Sequence, residues 1–491
     1  MTLELNILCA IFAPLLGAIG IAVLGQRYAN TREVVTLITS VVLVALVWRL
    51  LPYVFAGESP SVVMANLLPG LEIEFRVEPV GMLFAALASL LWVVTSIYSF
   101  GYMRANNEQH QTRFYVLFAI ALSAVTGIAF AANLLTLFIF YEVLTLTTYP
   151  LVTHKGDQKA VASGRIYLGI LLGTSIALLL PAIIWTYQLT GTLAFTPGGI
   201  LSGKLTGPAI GFLLALYVFG VGKAALMPVH RWLPAAMVAP TPVSALLHAV
   251  AVVKAGVFTI VKVVLYIFGV DFLFVEPSAD WLVYAAAFTV LAASVVALRQ
   301  QNLKRLLAYS TIAQLSYIVM ATAIFKPIAE VGAAVHMVSH ALGKITLFFA
   351  AGSIYTAAKL TEVGQLRGIG RRMPWTMVAF TIGALSMIGM PPTAGFVSKW
   401  LILTGAFQPT NYLVIFTILA STLLNAAYFL PIVFAAWFRE NDTAVSIDHG
   451  EAPRLIVVAL TVTSALTLLF FFLNQPVLDL VSQLFGGIYG D

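Results

Sequence analysis

Apolar runs of roughly the twenty residues that a helix needs to cross a bilayer follow one another along this chain, separated by short polar stretches. They fall near 6–25, 35–54, 79–102, 114–131, 133–153, 166–189, 207–236, 243–269, 281–298, 304–325, 329–357, 375–407, 411–437 and 455–475. None shows the alternation of apolar and polar residues that marks the strands of a membrane barrel. The pattern predicts an all-α polytopic membrane protein with about fourteen transmembrane helices. Three runs are overlong: 207–236, 329–357 and 375–407. The first and last of these contain prolines, which remove a backbone donor and should bend or interrupt the helix. One stretch has a different period. Leu71-Glu72-Ile73-Glu74-Phe75-Arg76-Val77-Glu78 alternates strictly and predicts a short, half-buried strand in the loop before the third span. No soluble domain, long linker or low-complexity tract is evident.

Composition narrows the class. The chain has 491 residues, of which 60% are hydrophobic and only 9% charged, against about 25% charged in soluble domains. That excludes a soluble enzyme, a nucleic-acid binder and a disordered scaffold. The net charge of +6 does not gather into a basic patch on a polar domain. Cys9 stands alone, so neither an internal disulfide nor a thiolate metal cluster is expected. Met1 to Asn6 lacks the basic region of a signal peptide, and the first run is expected to be a retained helix. About 16 residues follow the last run, so no long C-terminal appendage is expected.

Charge then orders the spans. Loops after odd-numbered runs hold seventeen Lys and Arg, whereas loops after even-numbered runs hold three: Arg76, Lys204 and Lys326. Cytoplasmic loops are the basic ones. The asymmetry places both termini on the outer, periplasmic side of a cell inner membrane.

A few charges are left that no loop claims. Among the bases these are Arg49, Lys223, Lys254, Lys262, Lys344 and Lys399; among the acids, only Glu142 lies deep in a run. His248, His336 and His340 also fall within runs. A charge at a helix centre costs about 2.5–3.5 kcal/mol on insertion scales, so such residues should face the bundle interior and mark an ion path. Glu142 needs a cation or a proton, and a lysine is its natural partner. The alternative is a structural ion pair. Lys223 precedes Pro228, and Lys399 follows Pro391 and Pro392; broken helices beside buried lysines suggest hydrated cavities. His336, His340 and Lys344 share one helix face at i, i+4, i+8 and can form a proton-exchanging row. A His-x-x-x-His metal site lacks a third ligand. His248 and Lys254, six residues apart, lie on different faces of an ideal helix. Arg49 and Lys262 are expected to snorkel toward the nearer surface.

These motifs resemble the antiporter-like membrane subunits shared by respiratory complex I, Mrp-type cation/proton antiporters and membrane-bound hydrogenases. The resemblance rests on Gly222-Lys223, His230-Arg231-Trp232-Leu233-Pro234, Pro242-Val243-Ser244-Ala245-Leu246-Leu247-His248, Val253-Lys254-Ala255-Gly256, Arg305 through Gln314, Ser339-His340-Ala341 with Lys344, and Ser398-Lys399. It spans about residues 75–440. It implies two inverted five-helix repeats, with the seventh and twelfth helices interrupted. It also implies a proton path in which Glu142 pairs with Lys223, Lys254 with His248 nearby is the central relay, His336, His340 and Lys344 carry the path onward, and Lys399 is the terminal exchange site. The implied division is 1–112, an N-terminal three-helix module with an outer loop; 113–437, the conducting core; and 438–491, a last helix and tail. Ala235 stands where the family often has an acid, and Lys399 departs from the branch with glutamate in the twelfth helix.

The function expected is that of a proton-translocating subunit of a multisubunit Na⁺/H⁺ antiporter. The equivalent subunit of a quinone oxidoreductase or a hydrogenase is the first alternative; a stand-alone solute carrier or a purely structural subunit comes after it. No nucleotide, haem or iron–sulfur pattern is present, so no cofactor is expected and any catalytic chemistry would belong to partner subunits. The expected partners are those subunits, protons with Na⁺ or K⁺, and the bilayer.

Overall fold

The computed structural model of the chain describes residues 2–68, 71–440 and 450–485. Parts of the anticipated C-terminal unit, 441–449 and 486–491, lie outside the described residues, as does Met1. The described chain is mostly helical, and eleven of its helices are long and apolar enough to cross a membrane. In chain order the helices are α1 (Leu3–Leu24), α2 (Ala29–Phe55), α3 (Pro79–Ala105), α4 (Gln111–Phe130), α5 (Leu134–Val152), α6 (Gln158–Thr190), α7 (Pro208–Gly220), α8 (Thr241–Phe268), α9 (Pro277–Leu298), α10 (Leu303–Thr322), α11 (Pro327–Ala358), α12 (Pro374–Ile388), α13 (Ala394–Phe407), α14 (Tyr412–Phe438), α15 (Arg454–Phe472) and α16 (Gln475–Ser482). Of these, α7, α12 and α13 are shorter apolar helices.

Local chemistry sets many of the ends. Thr2, Asn133, Asp157, Asn302 and Asn411 cap helix N-termini by accepting a backbone N–H three residues on. Pro79, Pro208, Pro327 and Pro374 stand in the first turn, where a missing N–H costs nothing. The alternating stretch forms a strand, β2 (Leu71–Arg76), paired antiparallel with β1 (Ser61–Leu68). It stops at Arg76 because Glu78 already serves as the N-cap position of α3. β1 reads Ser-Val-Val-Met-Ala-Asn-Leu-Leu, with no alternation, so periodicity alone did not reveal it.

The helices differ in what surrounds them. Side chains such as Leu16, Ile19, Val23, Phe288, Phe416, Leu423 and Phe472 stand exposed on α1, α9, α14 and α15, as a lipid-facing ring requires. By contrast, α8 and α11 are enclosed on all sides. α11 runs unbroken for 32 residues and packs against α10, α12, α13 and α15. With a mean hydropathy of 1.3, α11 is the least apolar of the eleven long apolar helices, and it is one of the two that are enclosed.

The overlong run 207–236 is broken. α7 ends at Gly220, ahead of both Lys223 and Pro228; a short 3₁₀ turn at Gly222–Ala224 follows, and Ala225 takes a left-handed conformation. Lys223 therefore sits inside the break rather than before it. The run 375–407 is broken between α12 and α13, around Pro391 and Pro392. α8 is interrupted differently, by π-helical turns at Leu246–Val250 and Val263–Phe268. Such turns shift the helical phase and are frequent at functional sites.

Candidate functional site

The buried titratable groups fall into two clusters. The first lies between α5 and the break after α7. Lys223 is fully buried, and its Nζ donates to the Tyr141 carbonyl at 2.8 Å and to Thr145 Oγ1 at 2.5 Å. The ammonium also stands 3.0 Å from the centre of the Tyr141 ring. Backbone groups freed by the break find partners: Lys223 N–H donates to the Tyr141 hydroxyl at 3.2 Å, and the Trp232 indole donates to Gly222 O at 2.9 Å. This is the condition for non-helical backbone at membrane depth. The expected Glu142–Lys223 ion pair is not closed. Both Glu142 oxygens are buried without a hydrogen-bond partner, and Lys223 turns instead to the adjoining turn of α5, while still feeling the carboxylate's charge. The physical reason is reach: from a 3₁₀ turn the lysine meets the α5 backbone face, whereas Glu142, one residue on from Tyr141, points off it.

The second cluster joins α8, α11 and α13. Lys254 Nζ lies 2.6 Å from His340 Nδ1. The His340 and His336 rings stack at 15° with centroids 6.3 Å apart. His336 Nδ1 meets Ser398 Oγ at 2.9 Å, and Lys399 follows on the same helix. Lys399 Nζ donates to Met387 O at 3.0 Å and to Ile388 O at 2.9 Å, the last carbonyls of α12, with Thr422 Oγ1 at 3.5 Å. A cation at a helix C-terminus meets the negative end of the dipole and carbonyls that have no intrahelical donor. Gly389, at φ +89°, ends α12 in the left-handed region, and its bare Cα leaves room for the Lys399 side chain.

Lys344 is a branch. Its Nζ donates to Leu307 O at 3.3 Å, away from the His336–Ser398 line. His248 lies in the π turn, its ring 4.7 Å from that of Phe348 and both nitrogens buried without a hydrogen-bond partner. His340 is within electrostatic reach of Lys254, Lys344, His336 and His248. The His340 Nε2 atom is also unpartnered.

Between the clusters the contact is backbone on backbone. A Cβ at Gly256 would lie 2.3 Å from Ala224 N and 2.4 Å from the Lys223 carbonyl carbon. Glycine there lets α8 press directly on the break.

Several groups escape a reading of the sequence. Ser398 is visible only beside Lys399. Tyr141, Thr145 and Tyr317, whose ring lies 5.5 Å from His336, carry no distinctive signal. Glu330 falls at the very edge of its apolar run, yet it is buried in the first turn of α11 beside Thr322. Lys262 does not snorkel: it is fully buried and ion-paired with Glu78 at 3.0 Å. Arg49 is exposed within α2, just after its first α-helical stretch closes at Trp48. At the basic end of the bundle, burial raises the Glu108 carboxyl above its usual range, opposed by Lys155, Lys304 and Lys359. Burial, with Arg113 adding to it, lowers His154 to about 4.

A helix bundle with lysines, histidines and a carboxylate sealed inside defines an integral, multi-pass membrane protein with a buried polar axis. The chain matches the family described as "NADH:quinone oxidoreductase/Mrp antiporter, TM" over residues 131–425, and it belongs to that family. It is 33% identical over 75% of its length to the N subunit of the NADH-quinone oxidoreductase of Desulforudis audaxviator, covering 73% of that protein. With the D subunit of the Na(+)/H(+) antiporter of Alkalihalophilus pseudofirmus it shares 28% identity over 80% of its length and 78% of the relative. It spans only 56% of the longer NAD(P)H-quinone oxidoreductase chain 5 of Synechocystis. The fold matches a chain of the Mrp complex from Dietzia with a TM-score of 0.86 at 22% identity, over 100% of this chain and 98% of the other.

Proposed function

We propose that this chain is a proton-translocating subunit of a multisubunit Na⁺/H⁺ antiporter. The observation that carries the reading is the run of side-chain contacts from Lys254 through His340 and His336 to Ser398, with Lys399 the next residue on the same helix, in the enclosed interior of the bundle. Each member can hold a proton on a nitrogen or pass one through a hydroxyl. Glu142 and Lys223 form the input: protonating or unpairing Glu142 changes the field at Lys223 and drives a proton toward Lys254 through water beside the Gly256 contact. Lys399, cradled by the end of α12, is the terminal exchange group.

The finer architecture belongs to the same proposal. Adding α7 with its broken continuation, α10, and α12 with α13 to the eleven long helices makes fourteen spans. Two inverted five-helix repeats, the fourth to eighth and ninth to thirteenth spans, would each contain one interrupted helix. The division 1–112, 113–437 and 438–491 follows this scheme. So does a location in a cell inner membrane with both termini outside, supported by the seventeen-to-three split of basic residues. The partners are further membrane subunits, together with protons and Na⁺ or K⁺.

Membership of a quinone oxidoreductase complex is the second reading, favoured by the Desulforudis relative at 33% identity. Copurification of the intact complex and identification of its subunits decides between them: small hydrophobic antiporter subunits support the first, iron–sulfur subunits the second. The mechanism is tested in vesicles carrying the complex. Glu142→Ala and Lys223→Ala should each abolish proton-coupled transport while the complex still assembles; survival of transport in either refutes the path.

A further inference from the structure

Lys262 and Glu78 take no part in the axis described above, yet both are buried. Glu78 stands where β2 turns into α3. Lys262 closes the α-helical part of α8, just before its second π turn. The Lys262 ammonium lies 3.0 Å from Glu78 Oε2, donates to the Ala131 carbonyl at 2.9 Å, and faces the Phe195 ring at 4.0 Å. Beside the pair opens a cavity of about 730 Å³, lined among others by Glu58, Arg76, Glu78, Pro197, Tyr266 and Asp271. The Tyr266 hydroxyl, on a residue only 4% exposed, has no hydrogen-bond partner, whereas Glu78 Oε2 is engaged by the ammonium. Arg76 is engaged by Glu74 at 2.9 Å and adds positive charge near Lys262.

The ammonium thus sits against two hard oxygen donors, a carboxylate and a backbone carbonyl, and Glu78 in turn lines the open cavity together with Tyr266. These are the ligand types of alkali and alkaline-earth cations. Lys262 and Arg76 together disfavour a divalent ion. An alkali cation and the ammonium carry the same charge, and one buried carboxylate does not neutralise both. We propose that the Glu78–Lys262 pair is a monovalent-cation exchange site, in which Na⁺ or K⁺ from the cavity takes the Glu78 carboxylate and the Ala131 carbonyl while Lys262 releases a proton. The N–H bond breaks, nitrogen keeps the electron pair, and a cavity water takes the proton, so one positive charge enters as one leaves. Lys254 lies eight residues earlier on α8, about two helical turns away. The proposal rests on the antiporter reading and adds to it the place where the cation acts.

The assembled complex, in weakly buffered detergent solution with a pH-indicating dye, is titrated with NaCl or KCl against N-methylglucamine chloride; ²²Na⁺ binding is measured in parallel. Saturable proton release is expected, and Glu78→Gln should remove both that release and the matching share of ²²Na⁺ binding. Lys262→Met should keep the binding and lose the release. The double variant Glu78→Gln/Lys262→Met, with no buried charge left at the site, is the folded control by gel filtration and should show neither. Release absent from the unaltered complex, or equal in Glu78→Gln, overturns the proposal. Glu142→Gln separates the two readings. It should stop transport and leave cation-dependent release intact, whereas release without any transport defect counts against the axis and not against this site.

Discussion

The two interrupted spans hold their lysines in opposite ways. Lys223 lies within its break and reaches across to a neighbouring helix, where the Tyr141 carbonyl and the Thr145 hydroxyl receive it beside the unpaired Glu142 carboxylate. Lys399 lies on the restarted helix α13 and reaches back to the carbonyls that end α12, the first half of its own span. The first lysine answers to a charge that another element carries and can be driven by it. The second is held by fixed backbone dipoles, which stabilise its charge but carry no signal. In the proposed path, the coupling group and the terminal exchange group differ in what receives the ammonium, although both sit beside proline-containing breaks.

The sharpest way to break this comparison is to remove each lysine. Lys223→Ala should abolish proton-coupled transport in vesicles, down to the level of vesicles without the complex. Lys399→Arg, which can still donate to the α12 carbonyls, should retain part of it. Equal and complete loss in both would erase the distinction.

The next effect concerns the cluster that links them. His340→Ala, which removes the partner of Lys254, should slow transport about a hundredfold, the lower end of what a positioned proton-transfer group contributes. His248→Ala, whose ring makes no hydrogen bond, should cost less. Initial rates of dye quenching at matched complex levels measure both.

A structural test addresses the contact between the clusters. Gly256→Val places methyl groups against the Lys223–Ala224 backbone, and overpacking of that kind costs about 1–3 kcal/mol. A lowered thermal unfolding midpoint, with a larger loss of transport than of assembly, is the expected outcome.

The smallest effect lies outside the axis. His154, near the basic end of the bundle, titrates at about 4 when folded against an ordinary value of 6.5. The unfolded chain therefore binds its proton first, and stability falls as pH drops from about 6.5 toward 4. His154→Gln should flatten the thermal midpoint between pH 7 and pH 5 without changing transport.

Much of this was legible in the chain. Apolar runs of spanning length, prolines inside two overlong runs and charges that no loop could claim pointed to a helical membrane protein, to both breaks and to the buried lysines and histidines, because a bilayer penalises every unpaired polar group and leaves few ways to place one. The alternating stretch gave away β2, whereas β1, its partner, has no period and emerged only through pairing. Composition and spacing also ranked the lysines by depth, and there they misjudged Lys262. Its apparent nearness to the surface came from counting along one helix, and by the same count its partner Glu78 falls in a loop.

What the sequence determined by itself was membrane residence, helical class and the short roster of groups sealed inside, since hydropathy and charge act residue by residue. Only the tertiary structure decided which of those groups touch. Lys223 turning to α5 rather than closing on Glu142, His340 meeting Lys254, Lys344 standing aside and Lys262 pairing with Glu78 all depend on π turns, on helix ends, and on a glycine that lets two backbones meet. Those are matters of phase and approach between distant segments, and no single stretch of sequence encodes them.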